Sequence, residues 1–172
     1  MQANLPAHSP SLCSPTQSAA ASFRRAVPDD FNALRLLESD SFETARRDSG
    51  EVIRQSLRNP LHEVWVSEES PGEIDAALFL RRSGRTLRIH SLAVHPSHQG
   101  RGLGNRLIEW ALLRATALGC NRATLEADLT QPALVDWYER RGFRQVKLLP
   151  GYYGPDHDAC RMVLSVGDSI SR

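Results

Sequence analysis

The order of apolar and polar positions divides the chain into strand-like and helix-like segments. Apolar residues recur at helical spacing in the segment that Pro28 opens, and again over residues 49–58. Three strand-like segments follow, at residues 61–69, 74–82 and 86–94, separated by the turn sequences SPGE and SGR. With a short strand predicted over SFRRAV, residues 22–27, this part of the chain predicts one strand, two helices and then three strands that are joined by turns.

The second half of the chain carries the longest helical pattern. Seven apolar residues between Leu103 and Leu118 fall at helical spacing, and Gly119 stands where a left-handed residue ends many helices. The remaining segments predict a strand, a helix and two further strands, at residues 122–128, 131–142, 143–149 and 160–166. This mixture predicts an α/β fold, with a mixed, mostly antiparallel central sheet flanked by helices.

The two ends of the chain lack such patterns. Residues 1–22 are rich in Ser, Pro and Ala and contain no acidic residue, so they cannot bury enough apolar surface to offset the entropy of ordering. We expect a disordered leader there, or a start codon placed too early. A transit peptide is disfavoured because no arginine precedes Arg24. One domain is expected over residues 23–166, with a short tail over residues 167–172.

Composition and charge narrow the classes of function. The 172 residues carry a net charge of +1, which does not favour binding to nucleic acid or to an acidic membrane. No apolar run approaches the ~18 residues that a membrane helix needs. Cys13, Cys120 and Cys160 are far apart in the sequence, so we expect reduced thiols in a cytoplasmic protein. The last two cysteines are expected to be core residues rather than nucleophiles.

The segment VHPSHQGRGLG, residues 94–104, connects a predicted strand to the longest predicted helix. Gly100, Gly102 and Gly104 keep side chains away from the start of that helix, where free amides and the helix dipole attract anions. Arg101 adds a positive charge. We therefore expect a phosphate site here, and the simpler alternative is a tight strand-to-helix turn. The spacing fits neither the dinucleotide fingerprint nor the P-loop.

Gln99, Gly102 and Gly104 match the signature Gln/Arg-x-x-Gly-x-Gly/Ala, so this loop resembles that of the GCN5-related N-acetyltransferase (GNAT) superfamily. A second block, residues 125–143, is similar to the strand–helix block of the superfamily that ends in Tyr-x-x-x-Gly-Phe. The resemblance extends from about residue 23 to residue 166. It implies a single GNAT-type domain that transfers an acetyl group from acetyl-CoA to an amine.

The resemblance also implies which residues hold acetyl-CoA. Loop amides would bind the pyrophosphate, while backbone groups of the preceding strand would bind the pantetheine arm and stabilise charge on the thioester carbonyl. The implied set is Leu92, Ala93, Val94, Gln99, Gly100, Arg101, Gly102, Leu103, Gly104, Asn105 and Gln131. No metal ion is expected, because no cluster of candidate ligands has suitable spacing.

Two side chains are predicted to be catalytic. Strand alternation places Glu126 on one face with Thr124 and Asp128, where its carboxylate would act as a general base through a water molecule. The alternative is a solvated or ion-paired carboxylate. Tyr138 stands at the position of the superfamily's tyrosine and would protonate the departing thiolate. The alternative is a tyrosine that only packs.

The segment GYYGPDHDACRM, residues 151–162, resembles one found in N-terminal protein acetyltransferases, including the bacterial ribosomal-protein alanine enzyme. That resemblance implies that Tyr152 and Tyr153 line the acceptor groove and that Asp158 supports them. An aromatic turn that only packs is the alternative. Gln131 replaces the usual asparagine, and Asp128 stands where peptide-modifying relatives often carry arginine, which leaves the acceptor open.

Three functions therefore compete. The first is acetylation of a protein or peptide amino terminus, or of a lysine; the reference pKa of an α-amine, near 8, favours the amino terminus over lysine, at ~10.4. The second is acetylation of a small amine or amino acid. The third is an inactive acyl-CoA-binding module, which the presence of both Glu126 and Tyr138 disfavours. The chain is expected to be a monomer or a homodimer, and no sequence feature selects between them.

Overall fold

A seven-stranded sheet organises the chain. The structure, a computed structural model, describes residues 22–167, so the predicted leader and tail lie outside the described residues except for Ser22 and Gly167. The strands are β1 (Arg24–Arg25), β2 (His62–Ser70), β3 (Glu73–Ser83), β4 (Thr86–Val94), β5 (Arg122–Asp128), β6 (Arg144–Leu149) and β7 (Ala159–Ser165). The helices are α1 (Phe31–Ser41), α2 (Gly50–Arg58), α3 (Leu103–Ala117) and α4 (Pro132–Glu139).

The strands lie in the order β1-β2-β3-β4-β5-β7-β6. All neighbouring strands are antiparallel except β4 and β5, which are parallel. The prediction of a mixed, mostly antiparallel sheet in an α/β domain is therefore confirmed. The bounds of β4 and β5 are those predicted, and Gly119 takes the predicted left-handed conformation after α3, with a φ of 68°.

The sheet separates two apolar layers. On one face, α3 and α4 pack on side chains of the central strands, with Leu107 and Phe143 almost fully buried. On the other face, α1 and α2 cover β2, β3 and part of β4, with Leu37 and Ile53 buried against Phe79. The two faces thus differ along the sheet: the helix pair α1 and α2 packs near β2 to β4, whereas α3 and α4 reach β5.

The two parallel strands separate after three paired positions. The pairing ends with Arg88 opposite Thr124, although β4 continues to Val94 and β5 to Asp128. A β-bulge at His90, where the register to β3 shifts, bends β4 at this point. The sheet therefore opens between β4 and β5, and the edges of both strands border a gap.

The hydrogen-bond alternation of an antiparallel pair decides which backbone groups face that gap. The His95 amide donates to Asp75 O at 2.8 Å, so Ala93, two residues earlier, directs its N–H and C=O toward β3 as well. Leu92 and Val94 then direct theirs toward β5. A ligand in the gap can therefore hydrogen-bond to the backbone of β4 without breaking the sheet.

Both described cysteines lie in the interior, as predicted. Cys120 and Cys160 are reduced and buried, and burial raises the pKa of both thiols. Cys13 lies outside the described residues. Neither buried thiol has the depressed pKa that a nucleophilic cysteine requires.

A buried carboxyl group connects α1 to the sheet. Glu38 is 3% exposed; its Oε1 accepts a hydrogen bond from the Ser91 hydroxyl at 3.2 Å and its Oε2 accepts one from the Asp48 amide at 3.1 Å. Burial raises the pKa of Glu38 to about 7. The charged form is therefore less stable in the folded chain than in the unfolded chain.

This shift predicts a pH dependence of stability. Because the folded pKa exceeds the unfolded value, the protein loses stability as the pH rises from about 4.5 through about 7. Glu38→Gln removes that loss, so the free energy of unfolding of the variant relative to the parent is expected to rise by ~2 kcal/mol between pH 5 and pH 8. Urea unfolding at both pH values measures it. The exposed Glu51→Gln is the control, and an equal difference at both pH values would contradict the account.

Candidate active site

A cleft of about 1090 Å³ lies where β4 and β5 part. It extends from the start of α3 past α4 to the segment between α1 and α2. The cleft therefore passes through the sheet, with the α3–α4 layer at one end and the α1–α2 segment at the other. All of the predicted site residues except Arg101 line it.

The loop before α3 has the backbone geometry of an anion site. Gly100 and Gly102 have φ values of 75° and 83°, which non-glycine residues rarely adopt. The Arg106 amide donates to Gly102 O at 3.2 Å, so the amides before it are those that a helix N-terminus leaves without a helical acceptor. The Gln99 side chain donates through Nε2 to Val94 O at 3.1 Å and ties the loop to β4.

The tight-turn interpretation accounts for only two of the three glycines. A Cβ atom on Gly104 would lie 3.5 Å from Trp137 Cζ2, which is ordinary contact, and φ there is not positive. Packing within the chain does not require this glycine, whereas a ligand close to the helix would. Nearby, Arg101 is exposed, 3.8 Å from Glu69, and can turn toward a bound phosphate.

The other residues predicted to bind the coenzyme differ in which of their groups are available to a ligand. The Leu103 side chain is buried in the core, so only the backbone of Leu103, in the first turn of α3, can contact a ligand. Asn105 accepts a hydrogen bond from Arg141, so its amide oxygen is already engaged. Ala93 was predicted to present backbone groups to the ligand; its N–H and C=O are directed toward Ala77 of β3, and the contact with the ligand stays a prediction. Val94 O accepts a hydrogen bond from Gln99, whereas the N–H groups of Leu92 and Val94 are directed toward the cleft, beyond the last paired residue of β4 and β5.

Glu126 lies on the predicted face of β5 but is enclosed by cations. Its side chain is 3% exposed. Oε2 accepts a hydrogen bond from Arg88 Nε at 2.8 Å and lies 2.7 Å from Arg88 Nη2, while Oε1 accepts a hydrogen bond from Arg161 Nε at 3.0 Å. The ion-paired alternative thus describes its surroundings, and a catalytic role requires that a remaining lone pair face the acceptor. The base assignment stays a prediction.

Tyr138 is buried at the other wall of the cleft. It packs edge-to-face on Trp137 and Phe143, at ring-centroid distances of 4.9 Å and 5.8 Å. Burial raises the pKa of its phenol to about 12, so the hydroxyl keeps its proton throughout the physiological range. The side chain therefore both packs and offers a proton donor, and its catalytic role remains a prediction.

Arg46 connects the two positions that depart from the superfamily pattern. It lies in a short 3-10 turn, Thr44–Arg46, between α1 and α2, and its Nη1 is 3.5 Å from the buried Asp128 carboxylate. With the Gln131 amide oriented to satisfy its neighbours, Gln131 Oε1 accepts hydrogen bonds from both terminal nitrogens of Arg46. Gln131 was predicted to bind the coenzyme; its amide oxygen is engaged by Arg46, and the coenzyme contact stays a prediction.

The paired tyrosines lie over Glu126. The Tyr152 hydroxyl accepts a hydrogen bond from Arg88 Nη2 at 2.6 Å, and the Tyr153 hydroxyl donates to Glu126 O at 3.1 Å. Asp158 accepts from the Gly151 amide at 2.8 Å and so supports the loop, as expected. The two rings meet edge-to-face at 4.9 Å. Tyr152 and Tyr153 thus border the end of the cleft that contains Glu126.

The described part of the chain has neither a metal-binding cluster nor a membrane-spanning helix. Over residues 22–167 no cluster of three metal-ligating side chains is present. None of the helices in that range has the length and apolar content needed to cross a membrane.

The fold, the cleft and a sequence comparison together identify the family of the chain. A family model described as "Acetyltransferase (GNAT) domain" matches residues 60–145, half of the chain, and spans the three central strands, the glycine loop, α3, β5 and α4. The chain belongs to the GNAT acetyltransferase family.

A curated protein similar to this chain is also named as an acetyltransferase. N-alpha-acetyltransferase 30 of Saccharomyces cerevisiae is 30% identical over 76 residues, which cover 44% of this chain and 43% of the relative. The chain thus spans less than half the length of the first curated relatives that it matches.

Solved structures share the fold. The ribosomal-protein-S18-alanine N-acetyltransferase of Escherichia coli aligns with a TM-score of 0.76 and 19% identity, over 88% of this chain and 99% of that one. The complex of Arabidopsis thaliana NAA60 with acetyl-CoA aligns with a TM-score of 0.73 and 18% identity, over 84% and 98%. At these identities the likeness concerns the fold.

The geometry of the loop predicts the effect of a side chain at Gly102. Gly102→Val strains a backbone with a φ of 83° and moves the amides that would bind the pyrophosphate. Acetyl-CoA affinity, measured by calorimetry, is expected to fall at least about 10-fold, the loss of one or more charge-assisted hydrogen bonds. Gly84→Val is the matched control, because Gly84 has a φ of 54°, equally open surroundings and a position in the β3–β4 turn, at the other end of β4. Equal affinity of the two variants would refute the loop assignment.

Proposed function

We propose that this chain is an acetyl-CoA-dependent N-acetyltransferase that transfers the acetyl group directly to a primary amine, the amino terminus of a protein or peptide. The observation that carries the proposal is the cleft through the sheet. It has an anion-binding helix start at one end, a carboxylate and two tyrosines at the other, and a free backbone amide between them. Donor and acceptor can thus approach each other from opposite faces.

The donor end fits a pyrophosphate followed by a narrow amide-bearing arm. The loop amides and Arg101 would hold the phosphates, and the gap beside β4 accepts an extended arm as an additional strand would be accepted. The Leu92 N–H is the group that can stabilise negative charge developing on the carbonyl oxygen during attack. One preorganised donor of this kind contributes a few kcal/mol.

The acceptor end supplies the proton transfers. A primary amine must lose a proton as it attacks, and Glu126 is a carboxylate that lines the cleft on β5, across the gap from β4. The arginines that flank it, Arg88 and Arg161, hold it in place. Tyr138 stays protonated because burial raises its pKa to about 12, and its hydroxyl can donate a hydrogen bond that stabilises the departing thiolate. The reference pKa of a thiol, ~8.5, lies below that of this phenol, so the tyrosine acts as a hydrogen-bond donor and the thiolate takes its proton later from solvent.

An α-amine suits this arrangement better than a lysine. The reference pKa of an α-amine is near 8, so a sizeable fraction is neutral at neutral pH, whereas a lysine must be desolvated first. The tyrosine loop borders the acceptor end without closing it, because Tyr152 is 42% exposed. An extended peptide can therefore enter beside this loop with its amino terminus first.

The acceptor class is tested with a panel of amines. Acetyl-CoA is offered with peptides that begin with Ala, Ser or Met, with N-blocked lysine peptides and with polyamines, and products are identified by mass. We expect acetylation at the free amino termini. Turnover on polyamines alone would move the function to small amines, and tight acetyl-CoA binding without any product would indicate an inactive binding module.

The role of Glu126 has a matched test. Glu126→Gln is expected to lower kcat/KM by ~10²-fold or more, the usual contribution of a general base, while acetyl-CoA affinity stays within about twofold. Glu63→Gln is the control, because Glu63 is a carboxylate held by Arg114 and Arg25 on the far side of the sheet. If both variants lose the same activity, or neither does, Glu126 is only a structural ion-pair partner.

A further inference from the structure

One half of the sheet carries a row of cations on the face that includes Glu126. Directly opposed residues in a ladder share a face, and Glu126 pairs with Arg161, which pairs with Lys147. Two residues earlier on β5, on the same face, Thr124 pairs with Val163, which pairs with Arg144.

Arg122 belongs to the same face, at the far end of β5. It lies four residues before Glu126, so strand alternation directs both side chains to one side of the sheet. Its Nε donates to the Thr86 hydroxyl at 2.7 Å, across the β4–β5 pair. We call the surface formed by Arg122, Arg144, Lys147 and Arg161 the basic face.

The charges of the basic face are not balanced by carboxylates. Arg122, Arg144 and Lys147 are exposed, and over residues 22–167 none of the three has a carboxylate within 4 Å. Arg161 contacts Glu126 through Nε, yet 41% of its side chain is exposed. The carboxylates on the same side of β5 are already in ion pairs: Glu126 with two arginines and Asp128 with Arg46.

The basic face begins at the acceptor end of the cleft and leads away from it. Strands are ~4.8 Å apart and rise ~3.3 Å per residue, so Lys147 lies ~10 Å from Glu126 across the sheet and Arg122 ~13 Å along β5. An extended chain covers those distances in three to four residues. A peptide with its amine at Glu126 can therefore place its next few side chains over these cations.

We propose that the basic face binds an acidic segment that directly follows the amino terminus of the acceptor polypeptide. This inference rests on the proposed function and specifies its substrate class: polypeptides with Asp or Glu among about residues 2–5. A polypeptide is favoured over a nucleic acid because the face is only three strands wide, adjoins an amine-binding cleft, and carries Val163 rather than a stacking ring at its centre.

The test compares two peptides and two variants. Ser-Glu-Glu-Glu-Glu and Ser-Gln-Gln-Gln-Gln peptides serve as acceptors for the parent chain, for Arg144→Glu/Lys147→Glu and for Arg58→Glu, an exposed control on α2. We expect the parent to prefer the acidic peptide, and the double variant to lose on the order of 10-fold in kcat/KM for it but less than twofold for the glutamine peptide. The acidic preference of the parent should also weaken between 50 and 300 mM NaCl.

A binding measurement separates this inference from the proposed function. Fluorescence anisotropy follows a labelled acidic peptide with a blocked amino terminus, which cannot react. Salt-sensitive binding that the double variant loses supports the basic face even if no peptide is acetylated. Equal use of both peptides, or equal behaviour of the double variant and Arg58→Glu, would overturn the inference and leave the acetyltransferase proposal intact. Tighter binding of an oligouridylate than of the acidic peptide would also overturn it.

Discussion

The separation of β4 from β5 is the feature on which the site depends. Two parallel strands that stayed paired to their ends would close the sheet and use the backbone groups of Leu92 for the ladder. The bulge at His90 bends β4 away after Arg88, so that these groups face a gap instead. The edges of β4 and β5 are therefore left without hydrogen-bond partners. A bound molecule with amide groups would supply those partners. The bulge that shapes β4 thus also creates the edge to which a ligand can bind.

Charge is the second constraint, and it is arranged differently at the two ends of the cleft. At the donor end, positive potential comes from helix amides and an exposed arginine, which suits phosphate. At the acceptor end, Glu126 sits between Arg88 and Arg161, with further cations beyond it on the basic face. The carboxylate is fixed in position but surrounded by positive charge. This surplus favours an acceptor that brings carboxylates with it, which is the reason to expect an acidic peptide.

Local sequence signals predicted the elements better than the contacts between them. Turn residues on both sides set the bounds of β4 and β5, and the glycines predicted the loop and the end of α3, because these signals act over a few residues. The partners of Glu126 were missed. Arg88 reaches it only through the β4–β5 register, which no short pattern encodes. Arg46 was missed because residues 38–50 match no known motif. The pairing of the Ala93 backbone with β3 was missed because it follows from the β3–β4 register, which the local sequence does not encode.

Hydrogen–deuterium exchange with and without acetyl-CoA tests the account most directly. If the ligand occupies the gap as an additional strand, the Leu92 amide and the amides of residues 100–105 gain protection on binding. The Ala93 amide, already bonded to β3, changes little. This alternation between adjacent residues is specific to a ligand that pairs with the edge of β4. Uniform protection of residues 92–94, or protection confined to other strands while acetyl-CoA is bound, would contradict the account.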